Sequence, residues 1–512
     1  MLETAPQFCY RLLTEITLQE LSEILPKSYV LHMVTGIQKN LTLLDNFDWD
    51  IYQSGLLLLR EGKNKLQLLD ASGRLLASDC IHGESRFWWQ LPAGDLADKI
   101  EKLSPLRAFM PKYFCQLKTD HGTILNGDEK IVVRMELSTV IGSDDQKSYF
   151  LKMSPLRGYQ KDYAQISKCF AAIHSAELPD MGLRNVLLQS GLEINFPEKK
   201  PIFNLAATEP AEAAISRMAV KMVQLARDQE PGIIADIDTE FVHQYRVNIR
   251  KTRSLISLFK KSFSSERYQL LKRELKIIGS QTNELRDLDV FLMDQDYYRR
   301  LLPENLWPGL NQIFRRIKRR RAIAWKKVTN SLTGTAYQEQ IGHLLLTLQQ
   351  QPEFVAKQSD SGIRQLAGRK ILVQYQQIYT DGMAIDNTTP DQAVHDLRIE
   401  CKKLRYLLEL FAELFPADKV KQLVKLLKVL QDNLGRFNDF SVQREFLVHF
   451  GQGKNLSADQ FASINGLAAV LYNKQVYERH LVAENIALFI DKSIRNQFNH
   501  LFKINPKKDC DV

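Results

Sequence analysis

The chain has 512 residues, 44% hydrophobic and 25% charged, a balance that excludes a disordered protein and, at this length, a single ordinary core. Its net charge of +9 is uneven: residues 1–200 hold 23 Lys/Arg against 25 Asp/Glu, and residues 201–512 hold 46 against 35. That excess points to an anionic partner of the second part, with nucleic acid, lipid head groups and inorganic phosphates all open on charge alone.

From the N-terminus, MLETAPQFCYRLLTEITLQE carries acids where a signal peptide carries positive charge. No run reaches the ~18–20 apolar residues of a membrane span, so a cytoplasmic protein is expected. Short apolar runs follow, broken by turn residues: SGLLLLREG, NKLQLLDASGRLLASD, RFWWQLPAGD, KYFCQLKTDHGTILNGDEKIVVRMELSTVIGSDD and KSYFLKMS. They predict antiparallel strands and hairpins, in a curved sheet or barrel, with helical pieces near 15–25, 95–103 and 160–176. LEINFPEKKPIFNLAATEP, with its prolines, reads as the linker. The six cysteines (Cys9, Cys80, Cys115, Cys169, Cys401, Cys510) show no spacing for a disulfide framework or a zinc site.

After about Ala206 the apolar period becomes helical. Helices are predicted at 209–229, 239–264, 267–281, 286–299 and 308–330, then at 362–380, 390–414, 418–433, 438–449, 459–475 and 478–502. This second part repeats itself: VHQYRVNIRKTRSLISLF from Val242 aligns with VHDLRIECKKLRYLLELF from Val394 at a gapless shift of 152. The same shift pairs Arg217 with Arg369, Lys276 with Lys428 and Asp287 with Asp439. At 100° per residue, His243, Arg246, Arg250 and Arg253 share one arc of about 80°, and His395, Arg398, Lys402 and Arg405 repeat it. Neither arc contains an acid, whereas solvated faces usually mix signs. Two such arcs about a pseudo-twofold axis would form one basic groove, whose natural complement is a polyvalent anion. Asp287 and Asp439 are expected to orient or neutralise an Arg or His. A basic run from Arg315 to Lys327 and the row Lys421, Lys425, Lys428 are weaker signals.

These histidine-led helices, followed by LRDLDV and LQDNLGRFND, resemble the two halves of the conserved-histidine α-helical domain, CHAD, over roughly residues 205–505. The resemblance implies two helical bundles, about 205–350 and 360–505, whose basic channel binds inorganic polyphosphate, often on polyphosphate granules. Carried over by position, it implies Arg217, His243, Arg246, Arg250, Lys251, Arg253 and Lys276 in one half, and Arg369, His395, Arg398, Lys402, Lys403, Arg405 and Lys428 in the other. Tyr245, Asn248 and Glu400 interrupt the basic pattern but lie off the arcs. In bacteria this domain often follows a CYTH triphosphate-tunnel barrel, and LLDNFDWDIYQSGLLLLREG and KYFCQLKTDHGTILNGDEKIVVRMEL are similar to strands of that barrel. Tunnel enzymes hold Mg²⁺ or Mn²⁺ through an E-x-E-x-K strand. Here QFCYRLLTEI lacks E-x-E and SYFLKMS has no acid, which leaves Arg60, Lys118, Arg134 and Glu136 as residues to face a tunnel.

The expected fold is therefore α+β: a degenerate CYTH-like, antiparallel β-barrel-like domain over 1–195, then an all-α duplicated bundle with pseudo-twofold symmetry. The expected function is polyphosphate binding with no catalytic residue, metal or cofactor, and no membrane partner. The alternatives are a Mg²⁺-dependent triphosphatase or polyphosphatase in the N-terminal domain, histidine phosphotransfer at His243 and His395, and RNA or another polyanion in the groove. RNA ranks lower because the arcs offer almost no aromatic platforms.

Overall fold

A computed structural model describes residues 8–503 apart from 82, 171–174, 179–181, 199, 351–361, 387 and 453–455. The chain divides into two compact units, Met1–Lys199 and Lys200–Val512.

The first unit is an antiparallel sheet of β1 (Phe8–Leu12), β2 (Val30–Val34), β3 (Lys39–Asp45), β4 (Leu56–Glu61), β5 (Lys65–Asp70), β6 (Leu75–Cys80), β7 (Met110–Leu125), β8 (Ile131–Ile141), β9 (Lys147–Pro155) and β10 (Ser175–Glu177). Its order is β10-β1-β9-β8-β7-β3-β4-β5-β6, with β2 pairing β7 off that path. The long β7 pairs β8 along one edge and, along the other, first β3 and then β2. The sheet does not close, so the expected barrel is an open antiparallel sheet. Helices α1 (Leu18–Ile24), α2 (Asp50–Gln53), α3 (Asp95–Leu103), α4 (Gln160–Phe170) and α5 (Leu183–Gln189) complete the unit. The expected 160–176 helix ends at Phe170, and its last residues fall partly outside the described ones.

Strand alternation sends apolar side chains to both faces. Leu57 and Leu59 pack with Val186 and Leu187 of α5, while Leu58 between them packs with Leu96 and Ile100 of α3. A third cluster joins Tyr10, Met135 and Leu151 to Ile166 and Phe170 of α4. The strand-like run RFWWQLPAGD is instead a 3-10 turn at Trp88–Gln90, because Gln90 Oε1 accepts from the backbone N–H of Arg86 and Phe87 and folds the chain back.

The second unit comprises α6 (Ala211–Arg227), α7 (Glu230–Ile234), α8 (Thr239–Leu258), α9 (Ser265–Ser280), α10 (Asn283–Met293), α11 (Gln295–Leu301), α12 (Trp307–Thr333), α13 (Thr335–Gln349), α14 (Ile363–Met383), α15 (Asp391–Leu410), α16 (Ala417–Gly451), α17 (Ala458–Phe489) and α18 (Lys492–Phe502). Asp238 starts α8 by accepting from the N–H groups of Glu240 and Phe241. The 152-residue shift carries α8 onto α15 end to end, and α6 and α12 onto α14 and α17.

Several predicted boundaries change. The expected break between 459–475 and 478–502 is absent, because α17 runs on to Phe489, and the expected 239–264 and 390–414 helices end at Leu258 and Leu410, each followed by a 3-10 turn. The 286–299 segment is two helices, α10 and α11. The 418–433 and 438–449 segments are one helix through Gly435, because Gln431 and Asn433 spend their amides on Cys401 O and Glu478 rather than on a break. An unforeseen helix, α13, buries Tyr337, Ile341, Leu344 and Leu348. The two copies meet where equivalent residues touch: the rings of Phe259 and Phe411, at the ends of α8 and α15, lie 5.3 Å apart, as a pseudo-twofold axis requires.

Candidate anion-binding cavity

A cavity of about 430 Å³ opens between α8, α9 and α15. Arg250 and Arg253 enter it from α8, Lys272 from α9, and His395, Arg398, Lys402 and Lys403 from α15. No Asp or Glu is among its lining residues. The helical period explains the gathering: positions 250, 253, 254 and 257 lie on one stripe of α8, and 395, 398, 399, 402 and 406 on one stripe of α15. Ile256, Leu258, Leu275, Ile399, Tyr268 and Tyr406 form its apolar wall.

Burial, with Arg398 and Arg250 beside it, brings the Lys402 ammonium down to about 7. Burial also holds Arg398 and Arg246 below the ordinary arginine range. Arg398 Nε is buried without a hydrogen-bond partner, and its Nη2 lies 3.9 Å from Asp439. His395 Nδ1 is 2.7 Å from Asn438 Oδ1, a hydrogen bond that fixes the ring's orientation at the cavity wall.

The two rows do not contribute equally. Arg246 is drawn away by Asn283 Oδ1 at 2.5 Å and Thr282 Oγ1 at 3.2 Å, and neither it nor His243 lines the cavity. The equivalents of Thr282 and Asn283 in the second copy are Leu434 and Gly435, which offer Arg398 no such acceptors. Nor are the arcs as free of acids as the helical wheel suggests. Glu409 accepts from Arg405 Nε at 2.6 Å and pairs with Lys251 Nζ at 3.2 Å, joining the two copies. Burial alone would push the Glu409 carboxyl up, but Lys251 and Arg405 bring it below the usual range. Glu400, placed off the arc by sequence, accepts from Lys403 Nζ at 2.6 Å: the long lysine side chain reaches back one turn.

The remaining candidates lie elsewhere. Arg217 clamps both Glu209 oxygens, at 2.8 and 2.7 Å, and also donates to Phe203 O. Arg369, Lys276 and Lys428 are exposed and do not line the cavity. Part of the basic run on α12 is already paired: Arg321 bridges Asp236 and Asp289 within the bundle, and Arg320 pairs with Glu284 on the surface. Tyr245, the interruption in the first arc, is fully buried and bonds Tyr337 Oη at 3.0 Å. Sequence reasoning missed Lys272, Tyr268 and Tyr406. Lys272 sits one turn before Lys276, hidden in the mixed-sign run LKRELK.

In the first unit, the residues expected to face a tunnel do not come together. Strand register puts Arg60 and Lys118 on one face of the sheet and Arg134 and Glu136 on the other, since Thr42 pairs Arg60 and Phe114 while Arg134 pairs Thr123. The four therefore cannot face one tunnel. Glu136 is engaged by Lys152 at 3.4 Å and Asp120 by Lys118 at 3.0 Å, and β1 carries no carboxylate. These residues do not suit a divalent cation, and no group of three or more His, Cys, Asp or Glu among the described residues is placed to hold one.

A family model, that of the CHAD domain, matches residues 217–448. Those residues form a CHAD domain. Among solved structures, a CHAD domain from the plant Ricinus communis is 18% identical and covers 57% of this chain and 96% of its own, with a TM-score of 0.48. PptA from Streptomyces chartreusis is 13% identical, covering 55% of this chain and 97% of its own, with a TM-score of 0.42. No curated protein sequence matches the chain. The CHAD domain contains the whole cavity, and no helix among the described residues is long and apolar enough to cross a membrane.

Proposed function

We propose that the cavity of the CHAD domain holds a chain of phosphates, with inorganic polyphosphate as the ligand and no chemistry performed on it. One observation carries this reading: cations from both copies converge on a single cavity whose lining has no carboxylate. Such a gathering is costly when empty and is relieved by an anion that touches several of the groups at once. Arg250, Arg253 and Arg398 supply planar forks for phosphate oxygens, Lys272, Lys402 and Lys403 supply point charges, and His395 adds a donor when protonated. The N-terminal sheet enters this reading as a scaffold, and the protein would reside where polyphosphate accumulates, in granules of the cytoplasm.

RNA is the competitor to test, because Tyr268 and Tyr406 bring to the wall the rings that the arcs lacked. Labelled polyphosphate bound to the full chain at physiological salt should be displaced by unlabelled polyphosphate at far lower phosphate concentration than by single-stranded RNA. Equal displacement by the two would remove the claim of polyphosphate specificity.

A further inference from the structure

Helix α8 leaves the cavity at Ser257 and Leu258, and within one turn the chain presents Lys260 and Lys261, both exposed. Lys370, half-buried on α14, completes the group: burial first, then Lys261 and Lys260, hold its ammonium below the ordinary lysine range. Among the described residues, none of these three side chains makes a hydrogen bond or ion pair. A link to the cavity runs through Glu400, which accepts from Lys403 in the cavity wall and from Gln374, one turn along α14 from Lys370, each at 2.6 Å. The cluster does not follow from the duplication, because the equivalent positions in the other half are Met218, Ala412 and Glu413. Three ammonium groups without a counter-charge repel one another, and a half-buried one cannot shed that cost to water.

We infer that Lys260, Lys261 and Lys370 form a second phosphate subsite beside the cavity, which takes phosphates of the same chain beyond those held inside and so selects long polyphosphate over short. This inference rests on the cavity being a phosphate site.

The test is calorimetric titration of the full chain with tripolyphosphate, long-chain polyphosphate and orthophosphate at two salt concentrations. Wild type is compared with the Lys260→Ser/Lys261→Ser double variant, which changes exposed side chains only, and with Lys370→Met. Affinity for the long chain should fall about tenfold in the double variant, with a shallower salt dependence, while affinity for tripolyphosphate stays within about twofold. Long-chain affinity that does not change, or that falls in step with tripolyphosphate, overturns the subsite. Lysine-dependent binding of orthophosphate equal to that of the long chain would assign free phosphate instead, and also overturns it. A wild type that binds neither polyphosphate sinks the cavity reading itself, an outcome distinct from the others.

Discussion

At Lys402 the ammonium sits at about 7 against an ordinary 10.5, so the free protein is partly deprotonated there at neutral pH. A bound polyanion favours the charged form, and binding must return the proton. Polyphosphate affinity should therefore fall as pH rises above 7, and Lys402→Met should remove that part of the slope in titrations at several pH values. For folding the sign is opposite: the lowered value means that the unfolded chain holds the proton between 7 and 10.5. The stability contribution is complete above 10.5 and is lost as pH falls toward 7, which pH-resolved thermal denaturation of wild type and Lys402→Met would show. The two copies also differ at single residues. Arg398→Ala should weaken polyphosphate binding about tenfold, whereas Arg246→Ala should change it less than about threefold, because Asn283 and Thr282 already hold Arg246. Gly435→Asn gives Arg398 the acceptor that Asn283 gives Arg246, and should lower affinity in the same titration; an unchanged value would mean that the asymmetry has another origin.

Among the elements, two helix glycines behave in opposite ways. At Gly309, where α12 crosses α17, an added Cβ would lie 2.2 Å from Asp459 O, so Gly309→Ala must separate the helices and should cost about 1–3 kcal/mol in denaturant unfolding. At Gly435 an added Cβ meets nothing within 4 Å, and Gly435→Ala should stabilise α16 by roughly 0.5–1 kcal/mol. The same position lies in the break that the sequence reading placed between 433 and 438, since a glycine between Asn433 and Asn438 reads as a helix stop. Tertiary bonds from Asn433 to Glu478 and from Gln431 to Cys401 O keep the helix running. The histidine-led helices were legible in their starts and their stripes because apolar and basic positions repeat together, but their ends at Leu258 and Leu410 fall short of the expected 264 and 414, where 3-10 turns take over. RFWWQ was not, because apolar aromatics suit a strand and a 3-10 turn alike and only Gln90 decides between them.

For the molecule as a whole, Glu409 joins the copies by holding Lys251 of one and Arg405 of the other. Glu409→Gln should lower stability by about 1 kcal/mol and free two cations, so that added polyphosphate raises the melting temperature more in the variant than in wild type. An equal ligand-induced shift in both would show that these cations stay outside the ligand's reach. The sequence by itself determined the duplication, the two units' contrasting strand and helix patterns and the basic character of the second, because periodicity and charge are local properties of the chain. Only the tertiary structure decided which cations share a cavity. Whether an arginine faces the ligand or a neighbouring carbonyl depends on acceptors such as Asn283 and Glu409, brought to it from one helix away or from another turn of its own, and a helical wheel drawn for one segment contains no information about them.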